Sequence, residues 1–306
     1  MVMEIVHIKL NETYHLLPSV LAIGFFDGLH CGHMRLIDQV LKVSEEKSLK
    51  KAFMTFDVHP KTVYLKEKTT YLMTMKQKEI MLEELGFDYF LIIDFNEEVA
   101  KLSPEQFIQN YFINLNVKHV VCGFDFTFGY RAKGRADHLK QLSQHFYDVD
   151  IIDEYDMNDQ KVSSSCIKEY LHQGEIEKAN QMLGRNYSII GQVIHGRHNG
   201  HKIGFPTANV DYGHYVTMKK GVYGVYAYYQ NKRYLAMANI GYNPTLGALN
   251  KMSLEVNIFD FNQDIYDQVI KIEFLFRVRD ECKFENVDAL IKQLKKDKES
   301  IICRCD

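Results

Sequence analysis

Between residues 19 and 152, short apolar runs alternate with amphipathic ones. SVLAIGFF, KKAFMTF, YFLII, VKHVVCG and FYDVDII read as buried strands, and the segments around 34–47, 75–85, 104–114 and 136–146 carry helical periodicity. Strand and helix in strict alternation imply right-handed crossovers and a parallel sheet covered on both faces, which predicts an α/β, Rossmann-like sandwich. Two short helices, 163–172 and 175–184, follow, with Gly184 as a terminator. Near residue 186 the texture changes. NYSIIGQVIHG, GVYGVYAYYQ, KRYLAMANIG, KMSLEVNIFD and QVIKIEFLFRV are tyrosine-rich, β-branched runs separated by glycine and asparagine turns, with no helix between them. That succession predicts a small closed β-barrel. The end of the chain, NVDALIKQLKKDKES, returns to helical spacing with Val287, Leu290, Ile291 and Leu294 on one stripe. The expected organisation is an α/β domain over 1–185 and a barrel with a terminal helix over 186–306.

Length and composition fit that division. A chain of 306 residues exceeds the usual single core, and 46% hydrophobic with 25% charged residues and only 5 prolines describes two fully folded domains. A formal net charge of −3 supplies no basic field for a nucleic-acid backbone, so polymeric nucleic acid is not an expected partner. No signal-type leader and no run of roughly 18 apolar residues is present, so the expectation is a cytoplasmic protein without membrane association. The six cysteines (Cys31, Cys122, Cys166, Cys282, Cys303, Cys305) are dispersed apart from a C-terminal Cys-Arg-Cys that suits neither a zinc knuckle nor a redox motif. They read as reduced thiols, mostly core filler. Oligomeric state is not legible.

Two segments carry chemistry. GFFDGLHCGH, residues 24–33, falls where the strand SVLAIG ends and the helix MRLIDQVLKV begins. Ligands of open α/β sheets bind beyond the carboxyl ends of the strands, and a helix start offers free N–H groups and a positive dipole end. Gly24, Gly28 and Gly32 permit close backbone approach, while His30 and His33 offer two donors to an anion, or else cap the helix. The second segment, GRHNGHKIGFPTANV at 196–210, runs a glycine-rich turn into Gly204, Pro206, Thr207 and Asn209. If it is extended, the Thr207 hydroxyl and the Asn209 amide oxygen project from one side, a hard-oxygen pair suited to Mg²⁺ shared with phosphates.

The His-x-Gly-His pair after a first strand is characteristic of the nucleotidyltransferase superfamily. With TFDVHP at 55–60, GFDFTFGYRAKG at 123–134 and SSSCIKEYLHQGEIEKANQMLGRNY at 163–187, the first part resembles the FMN adenylyltransferase module of bacterial bifunctional FAD synthetases. The resemblance implies that the 24–33 loop, including Phe26 and Asp27, binds ATP. Phe56, Asp125 and the aromatic 124–130 loop would accommodate flavin, and Ser163, Ser164, Ser165 and Lys168 would contact ATP phosphates. Plain alternatives exist for each: Phe56 as a core aromatic, His59 shaping the turn before Pro60, Asp125 as a turn residue, and Arg131, Lys133 and Lys168 as solvated charges. Lys168 and Ser165 stand where the family usually has arginine and threonine. A lysine lacks the planar bidentate fork, so slower adenylyl transfer is expected.

GFPTAN at 204–209 resembles the signature of riboflavin kinase, which implies Thr207 and Asn209 as metal and phosphate ligands and the 196–204 turn as a cover for ATP. The strand SLEVNIFDF then implies Glu255 as the base for the ribityl hydroxyl, and Arg279 as an arginine that closes over flavin. Alone, Glu255 reads as a solvated residue of the outer face, Asn209 as a cap, and Arg279 as a surface partner of Asp280 or Glu281. Asn243 and Asn257 replace an arginine and a histidine usual in the family. The implied activity is phosphorylation of riboflavin and adenylylation of FMN, with ATP, Mg²⁺ and flavin as the small molecules involved. Retention of the kinase alone, or a non-catalytic flavin-binding regulator, are the competing readings.

Overall fold

A computed structural model describes residues 2–59, 62, 69–143, 145–195, 203–242 and 252–305. Pro60, the 196–202 turn and Asn243 lie outside the described residues. Packing divides the chain into two units, Met1–Thr69 with Thr74–Val162, and Thr70–Met73 with Ser163–Asp306.

The first unit is built on six parallel strands: β1 (Glu4–Ile8), β2 (Ser19–Ile23), β3 (Lys50–Phe56), β4 (Tyr89–Ile93), β5 (Val117–Gly123) and β8 (Asp148–Ile152). Two-residue ladders pair β6 (Thr127–Phe128) with β7 (Gly134–Arg135), and β9 (Asp156–Met157) with β10 (Gln160–Lys161). The sheet order is β1-β4-β3-β2-β5-β8. Chain progress therefore reverses direction across the sheet at the β2/β5 pair, and the crevice at the carboxyl ends of such a pair is where open α/β sheets take ligands. Helices α1 (Cys31–Lys47), α2 (Met75–Glu84), α3 (Pro104–Ile108) and α4 (Ala136–Leu142) make the crossovers, and α3 runs on into a π-helical turn, Gln109–Ile113. The strands β2 and β4 are buried at every position, as near-continuous apolar runs between two helical layers should be.

The second unit opens with α5 (Ser164–Gln173) and α6 (Ile176–Leu183), each closed by a left-handed glycine, Gly174 at φ 80° and Gly184 at φ 69°. Next comes a closed antiparallel barrel, β11-β12-β15-β14-β13-β16, from β11 (Tyr187–Ile194), β12 (Ala208–Asp211), β13 (Gly221–Tyr229), β14 (Lys232–Tyr242), β15 (Met252–Ile258) and β16 (Val269–Arg279). Asn180 ties α6 to the barrel, its amide oxygen accepting from the Tyr187 N–H at 2.7 Å and its amide donating to the Phe274 carbonyl at 2.9 Å. The terminal helix α7 (Val287–Cys305) packs on β14 and β16, where Ile301 joins Val222, Met237 and Phe276.

The α/β sheet and the closed barrel are as the pattern predicts. Three details differ. Strand β1 was not expected, because EIVHI mixes polar and apolar positions at a sheet edge. The apolar stripe of α7 does not start at Val287, which is 56% exposed; the buried positions lie further on, at Asp297 and Ile301, so the helix is anchored by its middle and end. Of the six cysteines, none in a disulfide, only Cys122 is fully buried, and burial pushes its thiol up to about 12. "Mostly core filler" is therefore corrected to one core thiol, three half-buried ones and two exposed.

Candidate active sites

The loop 24–33 leaves β2 beside β3, with the Gly24 N–H donating to the Met54 carbonyl at 3.2 Å. Three of the four residues from Phe26 to Leu29 are left-handed: Phe26 at φ 54°, Gly28 at φ 92° and Leu29 at φ 42°. Each such non-glycine residue stores about 1 kcal/mol or more, and Gly28 avoids that cost. The Phe26 ring repays part of it by packing on Phe53 at 4.4 Å, burying the residue. His30 then caps α1, its Nδ1 accepting from the His33 N–H at 3.3 Å. With Nδ1 accepting, the proton of a neutral ring is carried by Nε2. The two imidazoles stack at 3.6 Å and 17°, and Phe26 meets the His33 edge at 5.1 Å. A Cβ on Gly32 would stand 3.2 Å from the His30 Nδ1, so the pair needs glycine there. Capping, read from sequence as the rival of anion contact, is present at His30 and fixes the orientation of its ring.

Around this loop, the other first-unit candidates separate. Phe56, at the carboxyl end of β3, is buried with its edge on Phe95 at 5.4 Å, the position of a core aromatic. Asp125, Phe124 and Tyr130 are exposed beyond the carboxyl end of β5, the strand that pairs with β2 at the switch point. Lys161 sits over the Phe124 ring at 4.8 Å and Arg131 over Tyr130 at 5.2 Å. His59 lies edge-on to Phe25 at 4.4 Å.

In the barrel, register builds a site from distant sequence. Asn209 of β12 is the cross-strand partner of Glu255 of β15, which is in turn the partner of Asn239 of β14; the row continues through Val222 of β13 to Arg279 of β16. Partners across a ladder share a face. Leu254 and Val256, flanking Glu255, are buried inside the barrel, so the half-buried row Asn209, Glu255, Asn239 faces the other way, the side where Val222 and Met237 meet α7. The alternation expected around Glu255 therefore holds. Thr207 stands just before β12, and the carbonyl of Pro206 accepts from the Asn257 amide at 2.6 Å. Asn257 is buried, so it fastens the start of the Thr207–Asn209 run to the strand that bears Glu255. Gly204, in a left-handed turn at φ 77°, begins that run.

Arg279 does not pair with Glu281. Its Nε and Nη2 reach the Asp297 carboxylate of α7 at 2.9 and 2.7 Å, and Nη1 donates to the Asp280 carbonyl at 2.9 Å. Asp297 is only 2% exposed and also accepts from Gln293 at 2.8 Å. At the start of α5, the Ser163 hydroxyl accepts from the Cys166 N–H at 3.2 Å, leaving Ser164 and Ser165 in the first turn. Lys168 donates to the Thr70 carbonyl at 2.7 Å, a neighbour the sequence does not foretell.

Comparison with known proteins then decides the family. A model described as FAD synthetase matches residues 13–166, and one described as riboflavin kinase matches 183–302. A Bacillus subtilis protein named bifunctional riboflavin kinase/FMN adenylyltransferase is 40% identical over 310 residues, covering 98% of each chain. The chain belongs to the bifunctional riboflavin kinase/FMN adenylyltransferase family. A Listeria monocytogenes member with the same name is 38% identical over 92% of this chain and 90% of its own. A solved structure from Streptococcus pneumoniae, titled as a macrolide-efflux protein, superposes with a TM-score of 0.87 at 33% identity over 96% of this chain and 97% of its own. Among the described residues, no helix of the present chain is long and apolar enough to cross a membrane.

The riboflavin kinase match spans the whole Asn209–Glu255–Asn239 row and Arg279, and the FAD synthetase match spans the 24–33 loop and the serines, but ends two residues before Lys168. Family motifs led to Glu255 and the histidines. They did not lead to Asn239, Asp297 or Lys78, a lysine that lies only 2% exposed under the loop. Lys78 shares the buried face of α2 with Gln77 and Leu82 while Ile80 of the same helix is exposed, so helical periodicity does not single the lysine out.

Proposed function

We propose that this chain phosphorylates riboflavin to FMN with ATP in its second unit and adenylylates FMN to FAD with ATP, releasing pyrophosphate, in its first. The adenylyltransferase module is taken to span 1–185 and the kinase 186–306; the family matches end at 166 and begin at 183, and the compact units divide earlier, between Val162 and Ser163, so α5 and α6 pack with the barrel. The strongest support is one phosphate-type constellation in each unit: stacked imidazoles at a helix start beyond the sheet's switch point, and a carboxylate aligned with oxygen ligands on the barrel.

In the first module, an FMN phosphate oxygen attacks the α-phosphate of ATP in line and the bond to pyrophosphate breaks. His30 Nε2, His33 and the first N–H groups of α1 face the charge that grows on the transferred group. Asp27 and the 24–28 backbone cradle the nucleotide, the exposed aromatics near Asp125 take the isoalloxazine, and Phe56 supports that wall from the core. In the second module, Glu255 accepts the proton of the ribityl hydroxyl as that oxygen attacks the γ-phosphate, whose bond to the β-phosphate breaks to release ADP. The Thr207 hydroxyl and the Asn209 oxygen are hard neutral donors that would hold Mg²⁺, which would supply charge neutralisation there. Gly204 and Pro206 shape the approach, and Arg279, braced by Asp297, borders the flavin side. A cytoplasmic setting agrees with ATP as a substrate and with six cysteines outside any disulfide.

Glu255→Gln tests the division of labour. The expected result is loss of riboflavin phosphorylation with FAD formation from supplied FMN intact. Loss of both in a folded protein contradicts it, and tight flavin binding without any product in the wild type favours the regulator.

A further inference from the structure

We infer that Lys78 is a positioning residue for adenylyl transfer: its buried ammonium clamps the carbonyl of Phe25, and so sets the start of the 24–33 loop and puts a positive charge beneath it for the triphosphate. This deepens the proposed adenylylation reading and rests on it. Lys78 lies in the first turns of α2, whose start is fixed by a capping box between Thr74 and Gln77. Its Nζ donates to the Phe25 carbonyl at 2.7 Å and sits 4.7 Å over the Phe25 ring. The same carbonyl accepts from the Thr55 hydroxyl of β3 at 3.0 Å. Two donors from two different elements thus hold one oxygen.

The consequence follows from peptide planarity. The Phe25 carbonyl and the Phe26 N–H share one rigid plane, so fixing the oxygen fixes the direction in which the left-handed turn Phe26–Leu29 sets out. That turn delivers His30 to the helix start. A dipole or hydroxyl would suffice for a clamp alone, yet the chain buries an ammonium, which is costly unless the charge is used. The charged group facing it is Asp27 of the loop, itself 6% exposed, and His59 packs on the Phe25 ring. Burial, opposed by Asp27, draws the ammonium down to about 8. A charge buried under a phosphate loop is little screened by salt, so it acts on the triphosphate at short range.

The test is steady-state FAD formation from FMN and ATP by Lys78→Met and Thr55→Val, with melting curves. For Lys78→Met the expected result is at least a tenfold rise in KM for ATP, KM for FMN within twofold, and a melting temperature that does not fall. A residue that merely holds the fold together gives the opposite pattern, a lower melting temperature with KM for ATP unchanged, and that overturns the inference. Thr55→Val removes one donor and no charge, so kcat should fall about three- to tenfold with KM for ATP unchanged; an unchanged kcat overturns the clamp even if Lys78→Met fails to fold. A wild type that makes no FAD from FMN overturns the adenylylation reading itself, and the role of Lys78 with it.

Discussion

In the first unit the candidate residues of the histidine loop lie within ten positions of sequence, on one loop with three left-handed residues and a buried lysine beneath it. On the barrel they come from three strands, Asn209, Asn239 and Glu255, and are aligned by ladder register alone. The loop stores strain and depends on packing around it; the row is unstrained extended chain and depends on neighbouring strands staying in register. A loop of the first kind should fail locally and specifically when one support is removed. A row of the second kind should lose its chemistry with one side chain while its geometry survives.

The sharpest way to break this comparison is to remove one reacting group from each side. Glu255→Gln keeps the shape of the row and should reduce riboflavin phosphorylation by about 10²–10⁴-fold, leaving adenylylation of supplied FMN within twofold. His33→Ala should do the reverse, reducing FAD formation by about 10²–10³-fold. Coupled losses in either variant would show that the units do not work separately. A smaller effect is expected at the brace behind the row. Asp297→Ala leaves the Arg279 guanidinium without its bidentate carboxylate partner, a change that costs about 3 kcal/mol for a buried pair. Denaturant titration should show that loss, and riboflavin should bind more weakly. Asn257→Ala frees the Pro206 carbonyl and should cost about 1 kcal/mol, with a several-fold rise in the Mg²⁺ concentration needed for half-maximal kinase rate.

The mildest prediction concerns pH. Lys78 titrates at about 8 in the folded chain against an ordinary 10.5. Between those values the unfolded chain binds more protons, so stability contributed by this site rises with pH across the window, and below about pH 8 the penalty is fully present. It amounts to about 3 kcal/mol. The first unit of Lys78→Met should therefore lose that rise, and at pH 7 it should melt a few degrees above wild type.

What the sequence disclosed follows the same division. The α/β alternation, the barrel and the loop 24–33 were legible, because glycine and histidine punctuation is local and strand-helix periodicity survives without knowledge of partners. Register is not local. Nothing in KRYLAMANIG says that Asn239 will stand beside Glu255, sixteen positions further along the sequence, since that depends on which residues β14 and β15 pair. Arg279 illustrates a second limit: its partner Asp297 sits eighteen positions on, within a helix stripe that reads as apolar from Val287 onward. Lys78 illustrates a third, for the periodicity of α2 exposes Ile80 at 38% and buries a cation, an inversion that only a neighbouring carbonyl explains.

The central claim is that one chain carries out both transfers in sequence. Chromatography of products from riboflavin, ATP and Mg²⁺ tests it most directly: FMN should appear first and FAD after it, with pyrophosphate rising in step with FAD. FMN that accumulates without FAD, or riboflavin that stays unchanged, would contradict it.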